Sequence, residues 1–264
     1  MIHNTKYSLT IGWLYPELMS TYGDRGNIIA LQKRCEWRGI NIEVKRLDIG
    51  FDQKILTTCD MLFMGGAQDQ QQKIVAEDLQ KKSEALKKMI DNGIPGLYIC
   101  GAYQFLGKYY KEAGGKIIKG LDILDLYTEH PGTKFARLIG NIAVKVSNLR
   151  GVTHATYEVN VQTLIGFENH GGRTYLGKNI KPLGKVIKGF GNNGADKTEG
   201  AIYKNSFGSY LHGPILPKNP SFADSLIKLA LEKKYGSPIN LSPLDDSLET
   251  LARKSIAKRL SIEL

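Results

Sequence analysis

The sequence predicts an α/β protein with a mostly parallel central sheet flanked by helices. The first 115 residues alternate between strand-like and helix-like segments, which is typical of βαβ units and parallel strands. From residue 139 onward, strand-like segments follow one another with glycine and asparagine between them, which predicts an antiparallel extension. With 264 residues, 42% of them hydrophobic, the chain can bury the core that one such domain needs.

The first half predicts the alternating elements in order. Apolar residues in 25–39 recur at helical spacing and end at a glycine, whereas 40–49 alternates with period two. The predicted strands are 8–15, 40–49, 60–64 and 96–99, and the predicted helices are 25–39, 73–93 and 103–113.

The second half predicts the extension and two closing helices. Strand-like segments lie within 139–148, 161–177, 185–191 and 200–213, and helices are predicted for 220–236 and 245–260. We interpret 1–236 as one domain and 237–264 as a helical extension of that domain.

The distribution of charge argues against a nucleic-acid-binding protein. The formal net charge is +10, but the basic residues are scattered, and segments 81–88 and 252–259 are predicted to be helices with solvated lysines. No basic run with interleaved aromatic residues is present, so we do not expect nucleic-acid binding. An acidic partner or an anionic substrate surface fits the charge better.

Cysteine usage and hydropathy indicate a cytoplasmic protein. The three cysteines show no C-x-x-C spacing, which argues against a disulfide framework and a zinc site. The sequence has no signal-peptide pattern and no apolar run of the ~18 residues that a membrane span needs. We expect a cytoplasmic protein whose basic surface could also face the inner side of the membrane.

The segment GLYICGAYQFLG, residues 96–107, contains a candidate nucleophile, Cys100. A strand-like run ends at Cys100, and Gly101 and Ala102 precede a helix-compatible segment. A cysteine at a strand-to-helix turn is suited to be a nucleophile, because the helix N-terminus favours the thiolate and offers N–H groups to an oxyanion. The alternative is a small apolar core residue, since cysteine is among the most often buried residue types.

A second glycine-rich loop and two histidines could complete such a site. In MLFMGGAQDQQQ (61–72), the N–H groups after the strand could face Cys100, although a plain turn is the simpler interpretation. His170 and His212 both end strand-like runs and precede glycine, so either could be the base or a structural histidine. The other histidines, His3, His130 and His154, lie in the start or in polar stretches.

Several motifs together resemble a known family. MGGAQDQQ, CGAYQFLG and SYLHGP, in this order, resemble the class I glutamine amidotransferases of the cobyric acid synthase-like branch. LYPELMSTYGDRGNIIAL (14–31) and FENHGGRTYLG (167–177) resemble more specifically the glutaminase subunits of lipid II isoglutaminyl synthases. The resemblance covers about residues 8–235 and implies a class I glutamine amidotransferase-like fold.

The resemblance implies roles for particular residues. Cys100 matches the nucleophile, His212 its base, and Arg137 the arginine that grips the α-carboxylate of L-glutamine. The remaining positions implied in substrate or oxyanion binding are Gly66, Ala67, Gly101, Gln104 and His170.

The sequence departs from the family pattern at three positions. Tyr98 and Ala102 replace the glycines that usually flank the nucleophile, so Tyr98 must point away from the turn. Pro214 stands where a glutamate usually orients the histidine. Either a dyad suffices, or a carboxylate comes from the partner or from Asp24, which we interpret first as a turn or helix-capping residue.

The resemblance also implies a partner. GFGNNGADKTEG (189–200) is glycine-rich but lacks the spacing of lysine and hydroxyl that a phosphate loop has, so we expect no cofactor or metal in this chain and ATP on another subunit. The implied partner in a heterodimer is a Mur-ligase-like synthetase subunit of the MurT type, which amidates the D-glutamate of the lipid II stem peptide to D-isoglutamine. The alternatives are a corrinoid-type acceptor and a non-catalytic scaffold.

Overall fold

The computed structural model describes residues 6–146 and 163–264, apart from the side chain of residue 69. In chain order, its elements are β1 (Ser8–Leu14), α1 (Arg25–Glu36), β2 (Asn41–Leu47), β3 (Met61–Met64), α2 (Asp69–Gln80), α3 (Ser83–Asp91), β4 (Gly96–Ile99), α4 (Gly101–Phe105), β5 (Tyr109–Lys111), β6 (Ile117–Lys119), β7 (Leu126–Glu129), β8 (Leu138–Lys145), β9 (Thr163–His170), β10 (Arg173–Leu176), β11 (Gly184–Lys188), β12 (Thr198–Glu199), β13 (Ala201–Tyr203), β14 (Ser206–Ser209), α5 (Ile215–Lys218), α6 (Pro220–Tyr235) and α7 (Ser247–Leu260). Two 3-10 turns cover Thr21–Gly23 and Gln53–Thr58.

A six-stranded sheet with the order β13-β14-β4-β3-β1-β2 forms the centre of the molecule. All its pairings are parallel except that of β13 with β14. Every residue of β3 and β4 is buried, as expected where helices cover both faces of a parallel sheet. Because β3 and β4 are neighbours, the loops after their carboxyl ends meet at one edge of the sheet.

Two four-stranded sheets extend this centre, with the orders β10-β7-β5-β6 and β12-β11-β8-β9. Antiparallel pairs dominate both, and only β5 pairs with β7 in parallel. The predicted fold class is therefore confirmed, including its antiparallel extension. An isolated bridge between Phe167 and His212 joins β9 to the segment after β14.

The prediction of one long helix over 73–93 is wrong. The chain forms α2 and α3, which are separated at Lys81 and Lys82. Lys82 is buried, with Nζ 2.7 Å from Asp78 Oδ1 and 4.7 Å from the centre of the Phe51 ring, so it is not the solvated lysine expected there. The amphipathic pattern of the segment could not predict the contact between Lys82 and Phe51, because Phe51 lies in a different segment.

The helix predicted over 103–113 is also mostly wrong, because α4 ends at Phe105 and the chain continues as β5. Lys108 N–H donates to Leu126 O at 2.8 Å, and β5 then pairs with β7. A Cβ atom on Gly107 would lie 2.8 Å from Leu126 O, so the backbone approaches closely here. Long-range strand pairing thus overrides the local helical pattern.

Some predictions fall outside the described residues. These are the end of the strand-like segment 139–148, the start of the segment 161–177, and the surroundings of His3 and His154. Within the described ranges, none of the helices combines the length and apolarity that crossing a bilayer requires.

Two arginines, Arg34 in α1 and Arg38 just after it, bind the C-terminal part of the chain. Arg34 is 4% exposed, and its guanidinium contacts both Asp224 of α6 and Asp246 before α7 at 2.6 Å. Arg38 Nη2 reaches the same Asp224 at 2.7 Å. The boundary predicted at residue 236 stays a prediction, but these contacts show how the last helix is held.

We predict that Arg34→Ala lowers the free energy of unfolding by about 3 kcal/mol, because two carboxylates lose their buried partner. Denaturant unfolding measures this, and hydrogen exchange in α7 should increase. Lys33→Ala is the matched control: it removes an exposed pair with Glu36 and should cost only about 0.5 kcal/mol. Equal effects of the two substitutions would contradict this role of Arg34.

Candidate active site

Cys100 occupies the sharp turn between β4 and α4, as the sequence predicts. Its backbone has φ +51° and ψ −105°, an unfavourable region for a residue with a side chain, and its N–H donates to Ser209 O at 2.8 Å. Tyr98 points away from the turn: it is fully buried, and its ring packs back over Gly96. A strained turn of this kind presents a nucleophile beside the N-terminus of the following helix.

His212 and Asp24 form a buried pair beside Cys100. His212 Nδ1 donates to Asp24 Oδ1 at 3.3 Å, and both side chains are fully buried. The other Asp24 oxygen, Oδ2, accepts from Gly66 N–H at 2.6 Å. Asp24 does lie in a turn at the N-cap position of α1, as interpreted from the sequence, but its side chain makes no capping hydrogen bond there. The chain itself thus supplies a carboxylate that orients the histidine.

The charges around His212 favour its protonated form. Burial alone would lower the pKa of His212, but the Cys100 sulfur and the Asp24 carboxylate outweigh it and raise this pKa to about 10. Nδ1 is taken by Asp24, while Nε2 makes no hydrogen bond of standard geometry to a described residue. Nε2 is therefore the nitrogen available to exchange a proton with substrate.

The loop after β3 brings backbone N–H groups to the thiol. A Cβ atom on Gly66 would lie 2.8 Å from His212 Cε1 and 3.2 Å from Cys100 Cβ, so glycine is needed at this close approach. Gly66 N–H is already used by Asp24, so the expectation that it donates to an oxyanion is not supported. Ala67 N lies 3.4 Å from the Cβ position of Gly101. The N–H groups of Ala67 and Gly101 are the candidate donors, because neither has a hydrogen bond to another described residue.

A cavity of about 210 Å³ opens above the thiol. Its lining includes Cys100, His212 and Arg137. Arg137 is exposed and held by Asn169, with Nε 2.8 Å from Oδ1 and Nη2 2.9 Å from the backbone O. The cavity thus combines a nucleophile with a cation.

His170 and Gln104 form the wall of the cavity rather than its reactive end. The His170 ring stacks on Tyr210 with 3.7 Å between ring centres, and Nδ1 lies 2.8 Å from Gly172 O. Burial lowers the pKa of His170, which keeps the ring neutral. Gln104 Nε2 donates to the Tyr210 hydroxyl at 3.0 Å. The structure therefore separates the two histidines that the sequence left as alternatives for the base.

Tyr22 and Asn169 are among the residues of this cavity that sequence reasoning missed. The two are bonded to each other, with Asn169 Nδ2 2.9 Å from the Tyr22 hydroxyl. Both lie inside motifs that carried the resemblance, STYGDRGN and FENHGG, and this position was the available signal. The described residues contain no cluster of three or more side chains that could hold a metal ion.

Comparisons with known proteins identify the family of the chain. Residues 10–220 match the model of the CobB/CobQ-like glutamine amidotransferase domain. The lipid II isoglutaminyl synthase (glutamine-hydrolyzing) subunit GatD of Staphylococcus aureus is 42% identical over 96% of this chain and 96% of its own. The GatD subunit of Streptococcus pneumoniae is 43% identical over 93% of this chain and 89% of its own.

A solved structure described as a glutamine amidotransferase shares the fold. It has a TM-score of 0.55 at 15% identity, covering 83% of this chain and 98% of that one. At this low identity the similarity shows a shared fold and nothing more, whereas the two GatD subunits are similar in sequence along most of their length. The chain therefore belongs to the CobB/CobQ-like glutamine amidotransferase family, in which it groups with the GatD subunits.

Proposed function

We propose that this chain hydrolyses L-glutamine to L-glutamate and ammonia through a thioester on Cys100. The observation that carries the proposal is the buried array of Cys100, His212 and Asp24 beside a cavity that Arg137 also lines. A nucleophile, a base and a carboxylate that orients the base are the parts that covalent acyl transfer requires. Arg137 provides the cation that the α-carboxylate of the substrate needs.

The first half-reaction forms the thioester. The Cys100 thiolate attacks the side-chain amide carbon, and the N–H groups of Ala67 and Gly101 receive the developing oxyanion. His212 gives its proton to the amide nitrogen, which leaves as ammonia when the C–N bond breaks. Asp24 stabilises the imidazolium before this transfer.

The second half-reaction regenerates the enzyme. Neutral His212 takes a proton from water, whose oxygen attacks the thioester carbon. The C–S bond then breaks, glutamate leaves, and the thiolate is restored beside the protonated imidazole. The cycle consumes one water and needs no other reactant.

The proposed acceptor of the ammonia rests on the similarity of this chain to two named relatives. Two relatives named as subunits of lipid II isoglutaminyl synthase match this chain along almost their whole length. This supports the proposal that the ammonia passes to a separate ATP-dependent, Mur-ligase-like subunit of the MurT type, which amidates D-glutamate in the lipid II stem peptide. The net charge of +10 suits work beside the anionic pyrophosphate of such a substrate, at the cytoplasmic face of the membrane.

We expect Cys100→Ala to abolish glutamate release from L-glutamine, measured for the chain alone and together with the ATP-dependent subunit. Cys59→Ala is the control, because this thiol is buried away from the cavity and burial raises its pKa to about 11. With lipid II and ATP present, the pair should also form D-isoglutamine. No glutamate release by the folded wild type in either setting would refute the glutaminase proposal, whereas amidation of a corrinoid instead of lipid II would refute only the acceptor.

We expect Asp24→Asn to reduce kcat by about 100-fold and to alter its pH profile. The amide can still accept from Gly66 N–H, but it then presents its NH₂ group to His212 Nδ1. Because Asp24 helps to raise the pKa of His212 to about 10, the substitution lowers this pKa. His212 then loses its proton at a lower pH, so the alkaline fall in kcat shifts to lower pH. An unchanged profile, with and without the partner, would show that the orienting carboxylate comes from elsewhere.

We expect Gly66→Ala to reduce kcat by about 100-fold and to lower the free energy of unfolding by about 2 kcal/mol, because its methyl group pushes the buried His212 ring away from Cys100. Steady-state kinetics and thermal unfolding measure the two effects. Gly114→Ala is the matched control, since its Cβ atom would have no neighbour within 4 Å. Wild-type turnover in Gly66→Ala would contradict the close approach.

A further inference from the structure

Tyr22 lines the cavity and has an unfavourable backbone conformation. It is 44% exposed, and its φ of +57° is unfavourable for a residue with a side chain. Its ring meets the His212 ring edge to face, with 5.1 Å between centres. Its hydroxyl accepts a hydrogen bond from Asn169 Nδ2 at 2.9 Å. An exposed side chain in a strained conformation with two specific contacts is a candidate for a role in the site.

Asn169 also binds Arg137 and therefore links Tyr22 to the guanidinium. The Asn169 side chain donates to Tyr22 with Nδ2 and accepts from Arg137 Nε with Oδ1, which leaves this amide one orientation that satisfies both bonds. The backbone O of Asn169 accepts separately from Arg137 Nη2. Without the Tyr22 hydroxyl, the Asn169 side chain could rotate and release Arg137 Nε. The plane of the guanidinium, and so its fit to a carboxylate, depends on this chain of contacts.

The backbone around Tyr22 is itself fixed by the reactive end of the cavity. Thr21 N–H donates to Gly66 O at 3.0 Å, and Asp24 binds Gly66 N–H and His212. The turn that carries Tyr22 is therefore joined to the loop beside Cys100 on one side and to Arg137 on the other.

We propose that Tyr22 is a positioning residue which, through Asn169, aligns Arg137 with the α-carboxylate of glutamine and so sets the preference for substrates that carry this group. The inference rests on the glutaminase function proposed above. Tyr22 does not touch the reacting bond, so it acts on substrate capture more than on the chemical steps. Its ring also covers His212, and a phenylalanine would retain that contact.

The test compares L-glutamine with its α-amide, which keeps the reacting side chain and lacks the α-carboxylate. The enzyme is used with its ATP-dependent partner if the partner is needed for turnover. For Tyr22→Phe we expect kcat/KM for L-glutamine to fall about tenfold, mainly through KM, while kcat changes less than about twofold. The kcat/KM for the α-amide should stay unchanged, so the preference for L-glutamine falls by the same factor.

Two further variants sharpen the result. Asn169→Ala should lose the same preference, and adding Tyr22→Phe to it should have little further effect, because both act through one chain of contacts. Tyr175→Phe is the matched control, since Tyr175 is similarly exposed, at 40%, and stacks on Tyr127 instead of lining the cavity.

The outcomes separate this inference from the proposed function. Wild-type preference in Tyr22→Phe, or an equal loss for both substrates, would overturn the inference and leave the glutaminase function intact. Absence of glutamine hydrolysis by the wild type would instead remove the function on which the inference rests. Additive effects of the two substitutions would show that Tyr22 does not act through Asn169.

Discussion

The site depends on one buried carboxylate. Asp24 binds His212 with one oxygen and Gly66 N–H with the other, so it fixes the base and the loop beside the thiol at the same time. A fully buried carboxylate is costly unless it is paired, and here each oxygen has a partner. Its partners are also the parts that must keep their distances during catalysis. The stability of the turn and the geometry of the reaction are therefore maintained by the same two hydrogen bonds.

The close approaches around Asp24 explain why so many glycines gather at this edge of the sheet. A Cβ atom on Gly65 would lie 2.3 Å from Met19 O, and one on Gly66 would meet both His212 and Cys100. The backbone must come this near because Asp24 reaches the loop with a short side chain. The residues around the thiol are consequently packed closely, whereas Tyr22 and Arg137, which also line the cavity, have longer and more exposed side chains.

Local sequence patterns predicted the central sheet well, because alternating periodicities and glycine-rich loops are encoded within short segments. The strand at 96–99 and the turn at Cys100 are examples. The break at Lys82 and the change from α4 to β5 were not predictable in this way, since each depends on a distant partner, Phe51 in one case and β7 in the other. For the same reason Asp24 could be named from the sequence only as one of several alternatives for the carboxylate: it precedes a helix, as a cap does, and its partner lies 188 residues away.

The position of β14 has a consequence for the order of folding. This strand inserts beside β4, and the chain just after it supplies His212, so the nucleophile meets its base only when residues beyond 206 have joined the sheet. Domains are synthesised from the N-terminus, and contacts between distant segments form late. A nascent chain thus carries its thiol long before it can use it. Chains that end before His212 would release no ammonia, and activity would itself report that the sheet is complete.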